Sequence, residues 1–148
     1  MKSIEVTIHT PGFHDKKIGN LVDDYCKQAG RFGIDVHWDF TRTGDNSSLE
    51  VKRLRDALPI GYFALDASGV QVSSEEIASV LKGRLENGQP LDFVIGGADG
   101  LGQDIVAKAK EVWAFGNITL PHQIARLVLA EQLYRGATII GGHPYHRA

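Results

Sequence analysis

Short runs of strand character alternate with segments of helical period along this chain, and that order constrains its fold more than any single residue does. "IEVTIHT" (4–10) and "IDVHWDF" (34–40) place apolar residues at every second position, the pattern of strands. Between them Ile18, Leu21, Val22 and Tyr25 fall at helical spacing. "SSLEVKRLRDAL" (47–58) reads as a second helix, with Ser47 or Ser48 as its N-cap and Pro59 beyond its end. "GYFALD" (61–66) is a strand of the buried type. "SSEEIASVLKGRLENG" (73–88) is a helix opened by the capping-box pair Ser73 and Glu76 and closed by Gly88. "LDFVIGG" (91–97) is an apolar strand running into glycines. The spacing then predicts a helix over 103–113, a short strand "NITL" over 117–120, a helix over 121–136 bounded by Pro121 and Gly136, and a last strand "ATIIGG" over 137–142. This succession implies an α/β domain with a mainly parallel sheet flanked by helices. No repeat, low-complexity stretch or linker interrupts it, so residues 1–148 are expected to form a single domain.

Composition limits the partners. With 43% hydrophobic and 23% charged residues, the chain has the make-up of a soluble globular protein. No run approaches the roughly 18 apolar residues of a membrane span, and no apolar h-region follows the start, so neither a membrane nor a signal peptide is expected. Cys26 is the only cysteine, which suits a reducing cytoplasm; it is given no catalytic role. A net charge of −2 argues against a surface that grips nucleic acid everywhere. Residues 101–148 nevertheless hold five Lys and Arg against three Asp and Glu, together with His122, His143 and His146. An anionic partner is therefore better placed against the C-terminal third.

In parallel sheets ligands sit beyond the carboxyl ends of the strands, which points to Leu65-Asp66, Gly96-Gly97, the loop before Pro121, and the tail. "GGADGLG" (96–102) follows a strand and precedes a helix, and Gly96, Gly100 and Gly102 match the spacing of a short-chain dehydrogenase loop. That reading fails on three counts. Only 46 residues follow the loop, no Tyr is followed four positions later by Lys, and the first strand runs into "HTPGF" where a nucleotide loop would stand. The loop is neither G-x-G-x-x-G nor a P-loop, and a tight strand-to-helix turn is its other reading.

The tail "GGHPYHRA" (141–148) concentrates functional side chains. His143 and His146 could begin a metal site, but zinc needs three or four ligands and Cys26 brings no motif, so no metal is expected. No G-x-S-x-G elbow supports a hydrolase. His, Tyr and Arg together can accept a proton, stack on a base, bond to a base edge and hold a phosphate, a set that suits a nucleobase. A solvated chain end is the other reading.

"LPHQIARLVLAEQLYRG…HPYHR" resembles the C-terminal signature of the bacterial RlmH family, the ribosomal RNA large subunit methyltransferase H group. "LDASG" (65–69), "SSEEIA" (73–78) and "FVIGGADG" (93–100) fit the same family in order. The likeness runs from about residue 60 to 147. The preceding residues agree in pattern only, and "IHTPGFHDKK" (8–17) departs from the family's short first-strand loop. The resemblance implies a SPOUT methyltransferase with a C-terminal deep trefoil knot, S-adenosylmethionine held in that knot, and a homodimer in which each active site borrows from the other protomer. It implies methylation of N3 of a pseudouridine in 23S rRNA, in the stem-loop at the subunit interface of the assembled ribosome. Carried onto this sequence, it makes Leu65, Asp66, Gly96, Gly97, Gly116, Asn117, Ile118, Thr119, Leu120 and Pro121 the cofactor contacts. Tyr145, Arg147, His143, His146 and His122 become the groups that act on the target, and Arg126 and Arg135 the phosphate contacts across the dimer. Another RNA site, or a relative that binds without catalysis, are the alternatives within this reading.

Overall fold

Among the described residues, five parallel strands and five helices follow one another in strict alternation, and the faces to which the helices turn decide where the sheet opens. The computed structural model describes residues 2–148. The strands are β1 (Ile4–Pro11), β2 (Ile34–Thr41), β3 (Phe63–Gln71), β4 (Leu91–Ile95) and β5 (Glu111–Ala114). The helices are α1 (Lys16–Gly30), α2 (Ser47–Ala57), α3 (Ser74–Asn87), α4 (Gln103–Lys108) and α5 (His122–Gly141). The sheet order is β2-β1-β4-β3-β5, with every neighbouring pair parallel.

Strand side chains alternate between the two faces. Phe63, Phe93 and Trp113, with ring centroids 5.0–5.8 Å apart, point to one side. They join Ile8, Leu81, Leu129 and Leu133 in the main core under α1, α3 and α5. Ala64 and Val94 point the other way, into a smaller cluster with Leu54 of α2 and Ile105 of α4. On the face opposite Ile8, buried His9 ties three strands together through Asp39 at 2.8 Å and Asp92 at 2.9 Å. Because α3 leaves β3 on one face and α4 leaves neighbouring β4 on the other, the chain parts at the carboxyl ends of these strands. That parting is where open α/β sheets receive ligands.

The capping box expected at Ser73 and Glu76 is present, and Gly88 closes α3 at φ 62. The N-cap of α2 is Asn46 rather than Ser47 or Ser48: its side chain accepts from the Leu49 amide at 2.9 Å. Several longer stretches depart from the sequence reading: β3, expected to end at Asp66, runs on to Gln71 with a register shift against β5 after Leu65. The helix expected over 103–113 stops at Lys108; Ala109 is extended, and Glu111–Ala114 pair with β3. Ile105, Ala109 and Trp113 share a helical period, but packing of Trp113 on Phe63 outweighs it. Residues 117–120, expected as a strand, are the loop between β5 and α5. The last departure is at the end of the chain. α5 runs through Gly136 and the expected strand 137–142, stopping only at Gly142, whose φ is +71. A Cβ on Gly136 would lie 2.9 Å from Leu81 Cδ1 and 3.4 Å from the Ala78 Cα, so this glycine admits α3 against α5. Burial of Ala137 and Thr138 then overrides the strand preference of the β-branched residues that follow.

Candidate active site

A cleft of about 540 Å³ opens at the carboxyl ends of β3, β4 and β5, a size typical of small-molecule sites. Leu65, Ile95, Leu101 and Trp113 supply apolar walls, and residues 118–122 close one side. The loop after β4 forms the floor. A Cβ on buried Gly96 would come within 2.5 Å of the Gly100 carbonyl carbon, and the Gly100 amide donates to the Gly97 carbonyl at 3.0 Å. Any side chain at position 96 would force this loop apart, so glycine leaves main chain, not side chain, facing the cleft. Asp66, on the neighbouring strand β3, is held by Ser68, accepting from its amide at 3.0 Å and from its hydroxyl.

Eight of the ten residues expected to hold a cofactor line this cleft: Leu65, Asp66, Gly96, Gly97, Ile118, Thr119, Leu120 and Pro121. Two stand outside it. Gly116 turns the chain at φ +96, and Asn117 pairs with Gln71. Ile95, Leu101, Trp113 and Phe115 were not singled out by the sequence reading, because apolar residues near strand ends look like ordinary core. Glu50 also escaped notice. It lies on α2, far along the chain, yet a Cβ on Gly97 would overlap its carboxylate.

Among the five groups expected to act on the target, only His122 lines the cleft. Burial lowers its pKa, the Arg126 charge lowers it further, and Glu50 opposes both. A neutral imidazole thus faces the cleft at neutral pH. Arg126, expected as a phosphate contact, has no exposed surface. Its guanidinium donates to the carbonyls of Pro11 at 2.6 Å and Phe13 at 2.8 Å and to the Thr10 hydroxyl at 3.0 Å. Burial brings its pKa down to about 10. The expectation is corrected: Arg126 is a clamp that holds the β1–α1 loop against the start of α5. Neutral carbonyl dipoles, not a carboxylate, offset the cost of burying that charge. Gln123 adds to the clamp, accepting from the Asp15 amide at 2.9 Å and donating to the Phe13 carbonyl at 3.1 Å.

The tail folds back from the end of α5 onto its middle turns. The Tyr145 hydroxyl donates to Glu131 at 2.8 Å, and its ring stands edge-on to Tyr134 with centroids 4.5 Å apart. Burial and then the Glu131 carboxylate push its phenol well above the ordinary range. Arg135 pairs with Glu131 at 2.9 Å and lies 4.7 Å from the Tyr145 ring centroid. It also donates to His146 Nδ1 at 3.1 Å, which leaves the His146 Nε2–H to donate to Glu75 at 2.9 Å. Arg135 is therefore engaged within its own chain. His143 accepts from the Tyr145 amide at 3.2 Å and meets Phe32 edge-on, while Arg147 is exposed. With a rise of about 1.5 Å per residue, the Glu131 docking point lies about 13 Å along α5 from His122. Burial pushes the Cys26 thiol up to about 11, so it is no ready nucleophile. Among the described residues no three His, Cys, Asp or Glu cluster as metal ligands, and no helix is long and apolar enough to cross a membrane.

A parallel sheet with a glycine-floored, apolar-walled cleft at its carboxyl edge defines an α/β protein built to hold a small cofactor against main chain. The profile described as "Predicted SPOUT methyltransferase" matches residues 4–146, and the chain belongs to that family. Ribosomal RNA large subunit methyltransferase H of Acidiphilium cryptum is 53% identical over 112 residues, 71% of this chain and 71% of that one. Its namesake in Xanthobacter autotrophicus is 47% identical over 110 residues, 72% of this chain and 69% of that one. The crystal structure of a probable methyltransferase from Bordetella pertussis Tohama I shares the fold, with a TM-score of 0.56 at 16% identity over 91% of this chain and 95% of that one.

Proposed function

We propose that this chain is an S-adenosylmethionine-dependent methyltransferase of ribosomal RNA, acting in the cytoplasm as a homodimer of single-domain protomers. In this reading it methylates N3 of a pseudouridine in 23S rRNA of the assembled ribosome. The observation that carries the reading is the cleft. Its glycine floor brings main chain to the cleft, and its walls suit adenine. When bound, the cofactor supplies an electrophilic methyl group on a sulfonium. Leu65 and Leu120 hold and shield it, the Gly96-Gly97 backbone lets it approach, and neutral His122 stands ready for a proton. Lying about 13 Å along α5 from its own cleft, the tail is better placed to serve the cleft of a second copy. The deep knot implied by the family resemblance belongs to the same proposal.

Ribosomes from a strain lacking this protein, incubated with it and S-adenosylmethionine, should gain one methyl group on a 23S rRNA fragment by mass spectrometry. No transfer at saturating cofactor would sink the reading. Mixing Gly96→Ala and Arg147→Ala protomers tests the shared site. If the tail serves a partner's cleft, the mixture recovers activity that neither variant has alone; if it serves its own, the mixture stays inactive.

A further inference from the structure

The segment "IHTPGFHDKK" (8–17), where this chain departs from the family pattern, builds an aromatic surface at the carboxyl ends of β1 and β2. Phe13 is 79% exposed, yet its main chain is fixed. Arg126 and Gln123 both donate to its carbonyl, at 2.8 and 3.1 Å, and the Gly12 amide donates to the Thr41 carbonyl at 2.9 Å. One side of the ring rests on Phe40 of β2, with centroids 5.3 Å apart. Phe40 is in turn stacked with Trp38 and met edge-on by His14. A lone exposed apolar residue is ordinary. An exposed ring held at its main chain and backed by three more rings is a pre-organised platform. The platform adjoins the cleft: a Cβ on cleft-lining Gly97 would lie 3.7 Å from Pro11 Cγ, and Gln123, which holds Phe13, follows His122 of the cleft wall. Two strand spacings, about 10 Å, separate β2 from β4 along this edge. The borders of the platform are basic. Lys16 and Lys17 occupy the first turn of α1 with no acidic residue there, although the positive end of a helix disfavours cations. They and Arg42, just past β2, are exposed and form no ion pair among the described residues. Two neighbouring carboxylates are already engaged, Asp15 with the Lys17 amide and Asp39 with His9.

We propose that the Phe13 ring stacks on an unpaired base flanking the target nucleotide of the substrate RNA, with Lys16, Lys17 and Arg42 on the adjoining phosphates. The inference rests on the rRNA methyltransferase reading above and extends it to how the target strand is presented. Every base has a π face, so stacking on Phe13 needs no particular sequence; it fixes where the strand lies. A base held there is unstacked from its own neighbours, as recognition of single-stranded RNA requires. The charges favour RNA over a second copy of this chain as the occupant. A second copy would bring the same cations to this surface, whereas RNA brings phosphates to the lysines and a flat ring to Phe13. Phe13 does not line the cleft, so the cofactor's own contacts are untouched.

Ribosomes from a strain lacking this protein serve as the probe. Substitution at position 13 spares the clamp, which holds the carbonyl rather than the ring. Phe13→Leu stays apolar but loses the flat face. Its co-sedimentation with ribosomes should weaken about tenfold and the KM for ribosomes rise by a similar factor, with S-adenosylmethionine affinity within about threefold. Phe13→Trp, with a larger π face, should bind at least as tightly as the wild type. Replacing Lys16 and Lys17 together by Gln should reduce the log–log salt slope of binding by about 1.4, two phosphates at about 0.7 each. Wild-type binding by Phe13→Leu overturns the proposal, as does a Phe13→Trp variant no better than Phe13→Leu. A shift of Phe13→Leu from dimer to monomer in sedimentation also overturns it, by assigning the ring to a second copy. An unchanged salt slope removes the lysines from the interface and overturns their part of it. A wild type that binds ribosomes without transferring methyl would defeat the methyltransferase reading alone, and the co-sedimentation series would still judge Phe13.

Discussion

The two ends of α5 are built differently. At its start, Gln123 and Arg126 are locked into main-chain geometry: the Pro11 and Phe13 carbonyls hold Arg126, and a glycine floor shapes the adjoining cleft that His122 lines. At its end, the tail is held by side chains. Tyr145, Arg135, Glu131, His146 and Glu75 form a partly exposed chain of contacts. Buried backbone geometry cannot shift without breaking the sheet edge, whereas partly exposed polar pairs each contribute about 1 kcal/mol or less and can exchange. The cleft is thus pre-organised, whereas the contacts of the tail can exchange.

If that contrast holds, damage at the tail should alter turnover alone. The largest effect is expected for Arg147→Ala, which removes an exposed group from the substrate side: kcat falls about 10²–10⁴-fold with cofactor affinity unchanged. Single-turnover transfer to ribosomes, paired with calorimetry, reads both quantities; a parallel loss of cofactor affinity would erase the distinction between the two ends. Damage at the cleft should act on binding. Gly96→Ala drives a Cβ into the Gly100 main chain and should weaken S-adenosylmethionine about 100-fold by calorimetry, with the Tyr145 titration untouched. The smallest effect sharpens the tail itself. Glu131→Gln should let the Tyr145 phenol fall back toward its ordinary value, read by ultraviolet absorbance, at about 1 kcal/mol of stability. Because the folded phenol is raised, its stabilisation is present below about pH 10 and lost as pH rises further. Alkaline unfolding should therefore be shallower in this variant, and an unchanged slope would show that burial alone raises the phenol.

The ends also differ in how far the sequence announces them. The glycine loop after β4 was legible, because a strand that runs into glycines leaves few alternatives at a parallel sheet edge; the end of β3, expected at Asp66, was not, since pairing with β5 carries it to Gln71. The capping box of α3 was legible because it is local: two side chains and two amides within one turn. Gly136 misled, since a glycine late in a helical pattern has the same signature whether it ends the helix or admits a neighbour. Trp113 misled for a related reason, its helical spacing from Ile105 being indistinguishable from strand pairing until β3 is in place.

By itself the sequence determined the parallel α/β alternation, the glycine-floored edge and the family, because these rest on local periodicity and on residue types that few conformations tolerate. Tertiary structure alone decided that Arg126 is a buried clamp, that the tail docks on Glu131, and that Glu50 meets Gly97. Each of those facts joins side chains separated by long stretches of chain, apart from the tail's return along its own helix. Only the packed sheet brings such groups within reach, and a charged residue's spacing on a helix does not reveal which face it will turn toward a cleft.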